Sequence, residues 1–201
     1  MTNPFSDRSS FDEETFEGLS LEGVELSDVE LYRCVFRGCK LGQTRWQSGR
    51  LEDCTFEDCD LVRMVPKQLA LRDVSFKACR LMGVDFSDLA QYPVVSFEDC
   101  NLKYASFATA ALRKTTFKRC ALIEASFVEV DLTEAVFEDC ELADAHFEGC
   151  DLRRARFLGA EALFIDPAKN RVKDAHVPLE TAVLLATSFG LKVQGFSRSK
   201  G

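Results

Sequence analysis

"FEDCELADAHFEGCDLRRARF", residues 137–157, carries a large apolar side chain at every fifth position: Phe137, Leu142, Phe147, Leu152 and Phe157. On an α-helix five residues advance about 500°, so these side chains would land about 140° apart and smear around the cylinder. On a continuous strand an odd step flips faces, so they would alternate between inside and outside. A chain that runs extended for a few residues and turns a corner every five points all of them at one axis. The spacing predicts a solenoid.

The same count extends in both directions. Large apolar centres run from Phe11 through Phe16, Leu21, Leu26, Leu31, Phe36, Leu41, Trp46, Leu51, Phe56 and Leu61, then Leu71, Phe76, Leu81 and Phe86, and resume at Phe97. From Phe97 to Phe157 Phe and Leu alternate strictly. Two residues before most centres stands something small or short, Cys, Ala, Val or Thr. All nine cysteines (Cys34, Cys39, Cys54, Cys59, Cys79, Cys100, Cys120, Cys140 and Cys150) fall in that slot. Nine cysteines at one phase of five read as small buried hydrophobes, not as a disulfide framework or a metal cluster.

Like follows like at twenty residues: Phe16, Phe36, Phe56 and Phe76 form one column, and Leu21, Leu41, Leu61 and Leu81 another. Four pentads therefore make one coil. A one-residue slip lies in "SDLAQYP", residues 87–93, where Tyr92, with Ala90 two before it, is the expected next centre. After it the columns resume in kind. About 7.5 coils at about 4.8 Å each give a rod on the order of 36 Å tall.

This layout resembles the pentapeptide repeat proteins, whose motif is a small residue, Asp or Asn, Leu or Phe, Ser or Thr, and a variable residue; "CDLRR", "ADAHF" and "ASFVE" match it as they stand. The resemblance implies an all-β fold: a right-handed quadrilateral parallel β-helix of about 7–8 coils over residues 9–160, with residues 1–8 as a lead-in. Residues 161–201 are left as a linker, a short α-helix and a cap or dimerisation segment.

Two interruptions are candidate partner contacts. "MVPKQLA", residues 64–70, has Pro66 at a centre and predicts a local distortion or shallow protrusion offering Pro66, Lys67 and Gln68. The slip near 87–92 offers Asp88 and Gln91 as a bulge. Beyond Phe157 the pattern dissolves until "PLETAVLLATSFG", which reads as a helix with Pro178 in its first turn, Glu180 near its N-terminus and Gly190 at its end. Leu179, Ala182, Val183, Leu185, Ala186 and Phe189 give it an apolar face too wide to be left in water. The helix caps the last coil, pairs with its copy in a homodimer, or does both, and the closing "LKVQGF" adds to either.

Chemistry is sparse. There is no phosphate-binding glycine loop, no metal-ligand spacing and no nucleophile with a base, and the two histidines, His146 and His176, sit at outward or linker positions. The expectation is a non-enzyme with no cofactor and no metal. No run of about 18 apolar residues is present and the start lacks a signal-peptide layout, so the chain is expected in the cytoplasm.

A net charge of −8 and a pI near 4.9 argue against direct nucleic-acid or anionic-membrane binding. That charge is zoned. Residues 9–30 hold eight acids and no base, and residues 31–120 hold fifteen bases, among them Arg113, Lys114, Lys118 and Arg119, against ten acids. Residues 121–152 hold Glu124, Glu129, Asp131, Glu134, Glu138, Asp139, Glu141, Asp144, Glu148 and Asp151, a belt with acids on all four sides of the last full turn.

The tail "FIDPAKNRVKDAHVPLETAVLLATSFGLKVQG" is similar to that of the gyrase-interacting members of the family: the Qnr-type quinolone-resistance proteins, the mycobacterial fluoroquinolone-resistance protein, and the immunity proteins for microcin and albicidin. That likeness implies a DNA mimic that binds DNA gyrase or topoisomerase IV and protects it from an antibiotic or toxin, dimeric through its C-terminal segment. The long protruding loops of the enteric Qnr-type members are missing here, and the basic middle departs from uniform DNA-like acidity. The alternative is a generic pentapeptide-repeat scaffold with an unrelated protein partner, its acidity serving only solvation.

Overall fold

The computed structural model describes residues 3–194 and is a parallel β-helix of about seven coils ending in one helix, α1 (Leu179–Ser188). Gly195 and Phe196 of the closing segment lie outside the described residues.

Each coil has four walls, and each wall is a column of centres. The first wall is an unbroken eight-stranded sheet of Thr15–Glu17, Val35–Arg37, Thr55–Glu57, Val74–Lys77, Val95–Glu98, Thr116–Lys118, Val136–Glu138 and Arg156–Leu158. Its register places Phe16, Phe36, Phe56, Phe76, Phe97, Phe117, Phe137 and Phe157 in line. Their rings stack with centroids from 4.7 Å (Phe36–Phe56) to 5.3 Å (Phe76–Phe97), the wider gap falling at the slip. Rings on the third wall, from Phe86 to Phe147, meet them edge-on, as in the Phe107–Phe117 pair at 5.7 Å. Flush burial of such a column contributes about 2–3 kcal/mol per Phe before entropy is counted.

The coils are tied by a two-way ladder. The N–H of each centre donates forward, as from Leu41 to the Asp60 carbonyl at 2.7 Å, and the N–H before it donates back, as from Asp60 to the Cys39 carbonyl at 2.9 Å. The corner is made two residues after the centre, where φ is positive: Asp53 at 53°, Asp58 at 54°, Ala78 at 52°, Glu124 at 53°. Gly18, Gly23, Gly38, Gly83, Gly149 and Gly159 take the same slot, which glycine enters without the Cβ clash of an L residue.

All nine cysteines are free and buried in the slot before the centre. Each thiol donates to a main-chain carbonyl, as from Cys140 Sγ to the Phe117 oxygen at 3.3 Å. Burial pushes the Cys54 thiol up to about 11 and raises Cys34 and Cys150 as well.

Three details depart from the expected pattern. Tyr92 is 73% exposed, and the buried residue at that point is Pro93, so Tyr92 is not a centre. The extra residue is absorbed on the fourth wall, whose sheet of Ser10–Asp12, Glu30–Tyr32, Arg50–Glu52 and Ala70–Arg72 stops there. Pairing on that wall restarts only at Ala111↔Asp131. The first wall crosses the slip with Val74↔Val95 paired.

Pro66 makes no protrusion: it is buried within the strand Val65–Lys67, opposite Trp46. Having no N–H, it cannot donate forward as other centres do, and the third-wall sheet of Glu25–Ser27, Arg45–Gln47 and Val65–Lys67 ends at it. Coil pairing also continues beyond residue 160, where the pentad pattern fades, through Asp151↔Arg171 and Arg156↔His176.

Both ends of the core are covered. Phe5 lies over the first coil with its ring 4.9 Å from Phe11 and 5.4 Å from Phe16, and Arg8 stands 4.3 Å above the Phe11 ring. At the other end α1 docks through Thr181, its one buried residue, over an apolar cleft of about 160 Å³ lined by Ile165, Pro167, Val172, Ala175 and Leu185.

Candidate interaction surface

With the interior filled, the exterior carries the chemistry, and ion pairing differs sharply between walls. On the first wall the residue after each centre alternates in sign along the rod: Glu17, Arg37, Glu57, Lys77, Glu98, Lys118, Glu138. Adjacent rungs pair, Arg37 to Glu57 at 2.9 Å and to Glu17 at 3.6 Å, Lys118 to Glu98 at 3.7 Å and to Glu138 at 3.9 Å. Arg119 adds bonds to Glu98 and Asp99 and holds both carboxyls below the usual carboxylate range. Of these seven only Lys77 makes no ion pair among the described residues, so the wall largely neutralises itself.

The fourth wall does the same within the acidic belt. Asp131 pairs with Arg113 at 3.3 Å, Glu134 with Lys114 and Arg154, and Asp151 with Arg153 at 2.6 Å and Arg171 at 3.1 Å. Arg113, Arg153, Arg154 and Lys173 line one polar cleft there with Thr133 and Asp174. On the third wall Glu148 meets His146 at 3.0 Å and Lys169 at 3.5 Å.

Five belt acids have no ion-pair partner among the described residues: Glu124, Glu129, Asp139, Glu141 and Asp144. Four of them belong to the second wall and its corners. Asp139 turns the corner into that wall, Glu141 precedes its centre Leu142, and Asp144 turns the corner out of it one coil after Glu124. Between them run Ile123 and Ala143, half-buried. The ten belt acids thus encircle the coil, but their unspent charge is concentrated on one side. Pairs twenty residues apart are visible in the sequence once coil length is known, so the coil period, rather than the composition of the belt, is the signal that sorts these acids.

The interruption sites separate too. Lys67 and Gln68 are exposed while Pro66 is not, and Gln68 Nε2 donates to Asp88 in the next coil. Gln91 and Tyr92 border a cleft of about 230 Å³ opposite Thr109–Ala111, at the break in the fourth wall. His146 and His176 are exposed. On α1, Leu179 is 76% and Phe189 68% exposed, Ala182 is exposed, and Val183, Leu185 and Ala186 are half-buried. Leu191 and Val193 beyond it are exposed as well.

The sequence matches the pentapeptide repeat region family over residues 49–127 and 101–172. The chain belongs to the pentapeptide repeat family. No curated protein matches it significantly. Among solved structures it is similar to two trypsin-treated variants of QnrB1, a plasmid-mediated fluoroquinolone resistance protein. One superposes with a TM-score of 0.71 at 17% identity over 92% of this chain and 97% of that one, the other with 0.70 at 18% over 92% and 100%. Full-length QnrB1 gives 0.50 at 17% identity over 90% and 100%. At such identity the likeness concerns the coil architecture. No described helix is long and apolar enough to cross a membrane.

Proposed function

We propose that this pentapeptide repeat rod is a cytoplasmic DNA mimic that binds a type II topoisomerase, DNA gyrase or topoisomerase IV, and protects it from an antibiotic or toxin. The observation that carries the reading is the unpaired set Glu124, Asp139, Glu141 and Asp144, outward carboxylates at coil spacing on a rigid rod. A basic groove shaped for duplex DNA reads charge and shape before sequence, so such a surface competes for it. Architectural likeness to a fluoroquinolone resistance protein supports the same reading. The exposed Leu179, Phe189 and neighbouring apolar residues of the C-terminal segment support a homodimer whose halves join at the acidic ends of the rods.

The test is gyrase supercoiling in the presence of an inhibitor. Added protein is expected to restore supercoiling, less so as salt rises, and reversal of the four acids to Lys is expected to abolish the effect while thermal unfolding stays unchanged. Failure to restore activity with any inhibitor class, together with no salt-sensitive binding, discards the proposal.

A second reading, a scaffold for an unrelated protein, draws on the self-neutralised first wall and the arginine-rich fourth wall, neither of which resembles DNA. Affinity capture that returns a partner lacking a DNA-binding groove favours it.

A further inference from the structure

Six of the nine cysteines stand in a single file. Cys39, Cys59, Cys79, Cys100, Cys120 and Cys140 occupy the same slot before the second-wall centre in consecutive coils, all buried. Their sulfurs meet equivalent carbonyls, those of Phe16 at 3.2 Å, Phe36 and Phe56 at 3.4 Å, Phe76 at 3.3 Å, Phe97 at 3.5 Å and Phe117 at 3.3 Å. Equal placement in every coil makes a straight row of thiols at the coil rise of about 4.8 Å. Cys34 and Cys54 form a shorter pair in the neighbouring column, while Cys150 stands alone between Val130 and Asn170.

The column supplies thiols in pairs along a line and never three around a point; among the described residues no three His, Cys, Asp or Glu side chains converge. A tetrahedral zinc site is therefore excluded by shape. A linear site is not. With a metal–sulfur bond of about 2.3 Å, a sulfur–metal–sulfur unit spans about 4.6 Å, close to the rise of about 4.8 Å between successive coils. No strand has to move. Charge then selects the ion. Two thiolates around a monovalent metal leave a net negative charge in an apolar core, whereas two around a divalent metal leave none.

We propose that this cysteine file binds soft divalent metal in linear two-coordinate fashion, mercuric ion being the type. The ions sit between Cys39 and Cys59, Cys79 and Cys100, and Cys120 and Cys140, with a fourth between Cys34 and Cys54. Each ion breaks two S–H bonds, forms two metal–sulfur bonds and releases two protons to solvent, with no change of oxidation state. The carbonyl contacts lose their thiol donors, and the neutral bis-thiolate takes their place in the core. Entry is from the N-terminal end, where the half-buried Leu19 covers Cys39; the other end is closed by the buried Ala160.

The reduced full chain is titrated with mercuric acetate and followed by native mass spectrometry, proton release and X-ray absorption at the metal edge. Four ions, about eight protons, retained circular dichroism and two sulfurs at about 2.3 Å per ion are expected. The variant Cys59→Ala/Cys100→Ala/Cys140→Ala isolates the remaining file thiols and is expected to bind one linear ion, at Cys34 and Cys54; alanine fills the equivalent slot at Ala105, Ala125 and Ala155, so the coil accepts it. Leu19→Ala is expected to speed uptake. Nine ions with one sulfur each, uptake only after denaturation, or an unchanged count in the triple variant overturns the proposal. Should that variant fail to fold, the sulfur number around the metal in the wild-type chain still decides.

Discussion

Asn170 stands one coil after Cys150 and does with an amide what the cysteine does with a thiol. Its Nδ2 donates to the Phe147 carbonyl at 3.0 Å, as Cys150 Sγ donates to that of Phe127 at 3.0 Å, and its Oδ1 accepts the Cys150 N–H at 2.9 Å. A further bond to the Asp166 carbonyl fastens the loop that leads to α1. The side chain closes the last coil from below.

Asn170→Ala removes three bonds and leaves the buried Cys150 N–H unmet. A loss of about 2–3 kcal/mol is expected by urea denaturation, where one unmet buried group alone costs about 1–3 kcal/mol. Asn170→Cys, which restores a donor toward Phe147, is expected to recover part of it. An Ala variant as stable as wild type refutes the closing role.

The single tryptophan offers a sharper probe of buried polarity. Trp46 Nε1 donates to Thr44 Oγ1 at 3.1 Å, and that hydroxyl donates to the Leu41 carbonyl at 2.7 Å, both side chains being buried. Thr44→Val strands the indole N–H and is expected to cost about 1–3 kcal/mol. Trp46→Phe added to it is expected to cost less than the two single changes summed, because the stranded donor is gone. Additive losses contradict the bond.

A counterintuitive gain follows from the corners. Ala78 is exposed with φ at 52°, a region that costs an L residue about 1–2 kcal/mol and glycine almost nothing. Ala78→Gly is expected to stabilise the rod by about 0.5–1 kcal/mol even after the added freedom of the unfolded chain. Ala143→Gly, one residue short of the corner and with no positive φ, is expected to destabilise it. Equal signs for the two changes refute the assignment.

Acid sensitivity is expected to concentrate on the fourth wall. Arg153, with Arg171 behind it, holds the Asp151 carboxyl below its ordinary value, and little of that side chain reaches solvent. Its contribution is present above the unfolded carboxylate value of about 3.9 and is lost as pH falls through the lower folded value. Asp151→Asn is expected to lower stability at pH 7 and to flatten the fall below about pH 4. An unchanged acid limb rules out this carboxylate as a source.

If the C-terminal segment joins two chains, charge at its exposed face separates them. Leu179→Glu/Phe189→Glu is expected to shift a sedimenting dimer to monomer without loss of circular dichroism. A wild-type chain that sediments as a monomer at tens of micromolar removes the dimer from the functional reading.

The walls and the cysteine slot were legible because the same constraint acts on every coil: one side chain inward per five, stacked on its like. Phe137 over Phe117 needs no tertiary information beyond the period. Tyr92 is the expected centre but not the observed one, because the slip lets two residues compete for one position. A ring with a hydroxyl favours water over a sealed core, and Pro93 fills the space. Pro66 is expected to distort the coil or protrude, yet a centre with no N–H to donate can end a sheet and remain buried. Phe5 lies ahead of the first pentad, so no period could announce that it seals the core. The belt's acids alone do not show which charges are spent: Asp131 and Asp151 are answered by Arg113 and Arg171 on neighbouring coils, and Asp144 has no ion-pair partner among the described residues.

The alternating signs on the first wall have a period of two coils, not one. Duplicating or deleting a single twenty-residue turn within that stretch sets Glu against Glu or Lys against Arg at the joint, while a change of forty preserves opposite neighbours. Lengthening of this molecule, in evolution or by design, therefore proceeds most easily by doublets.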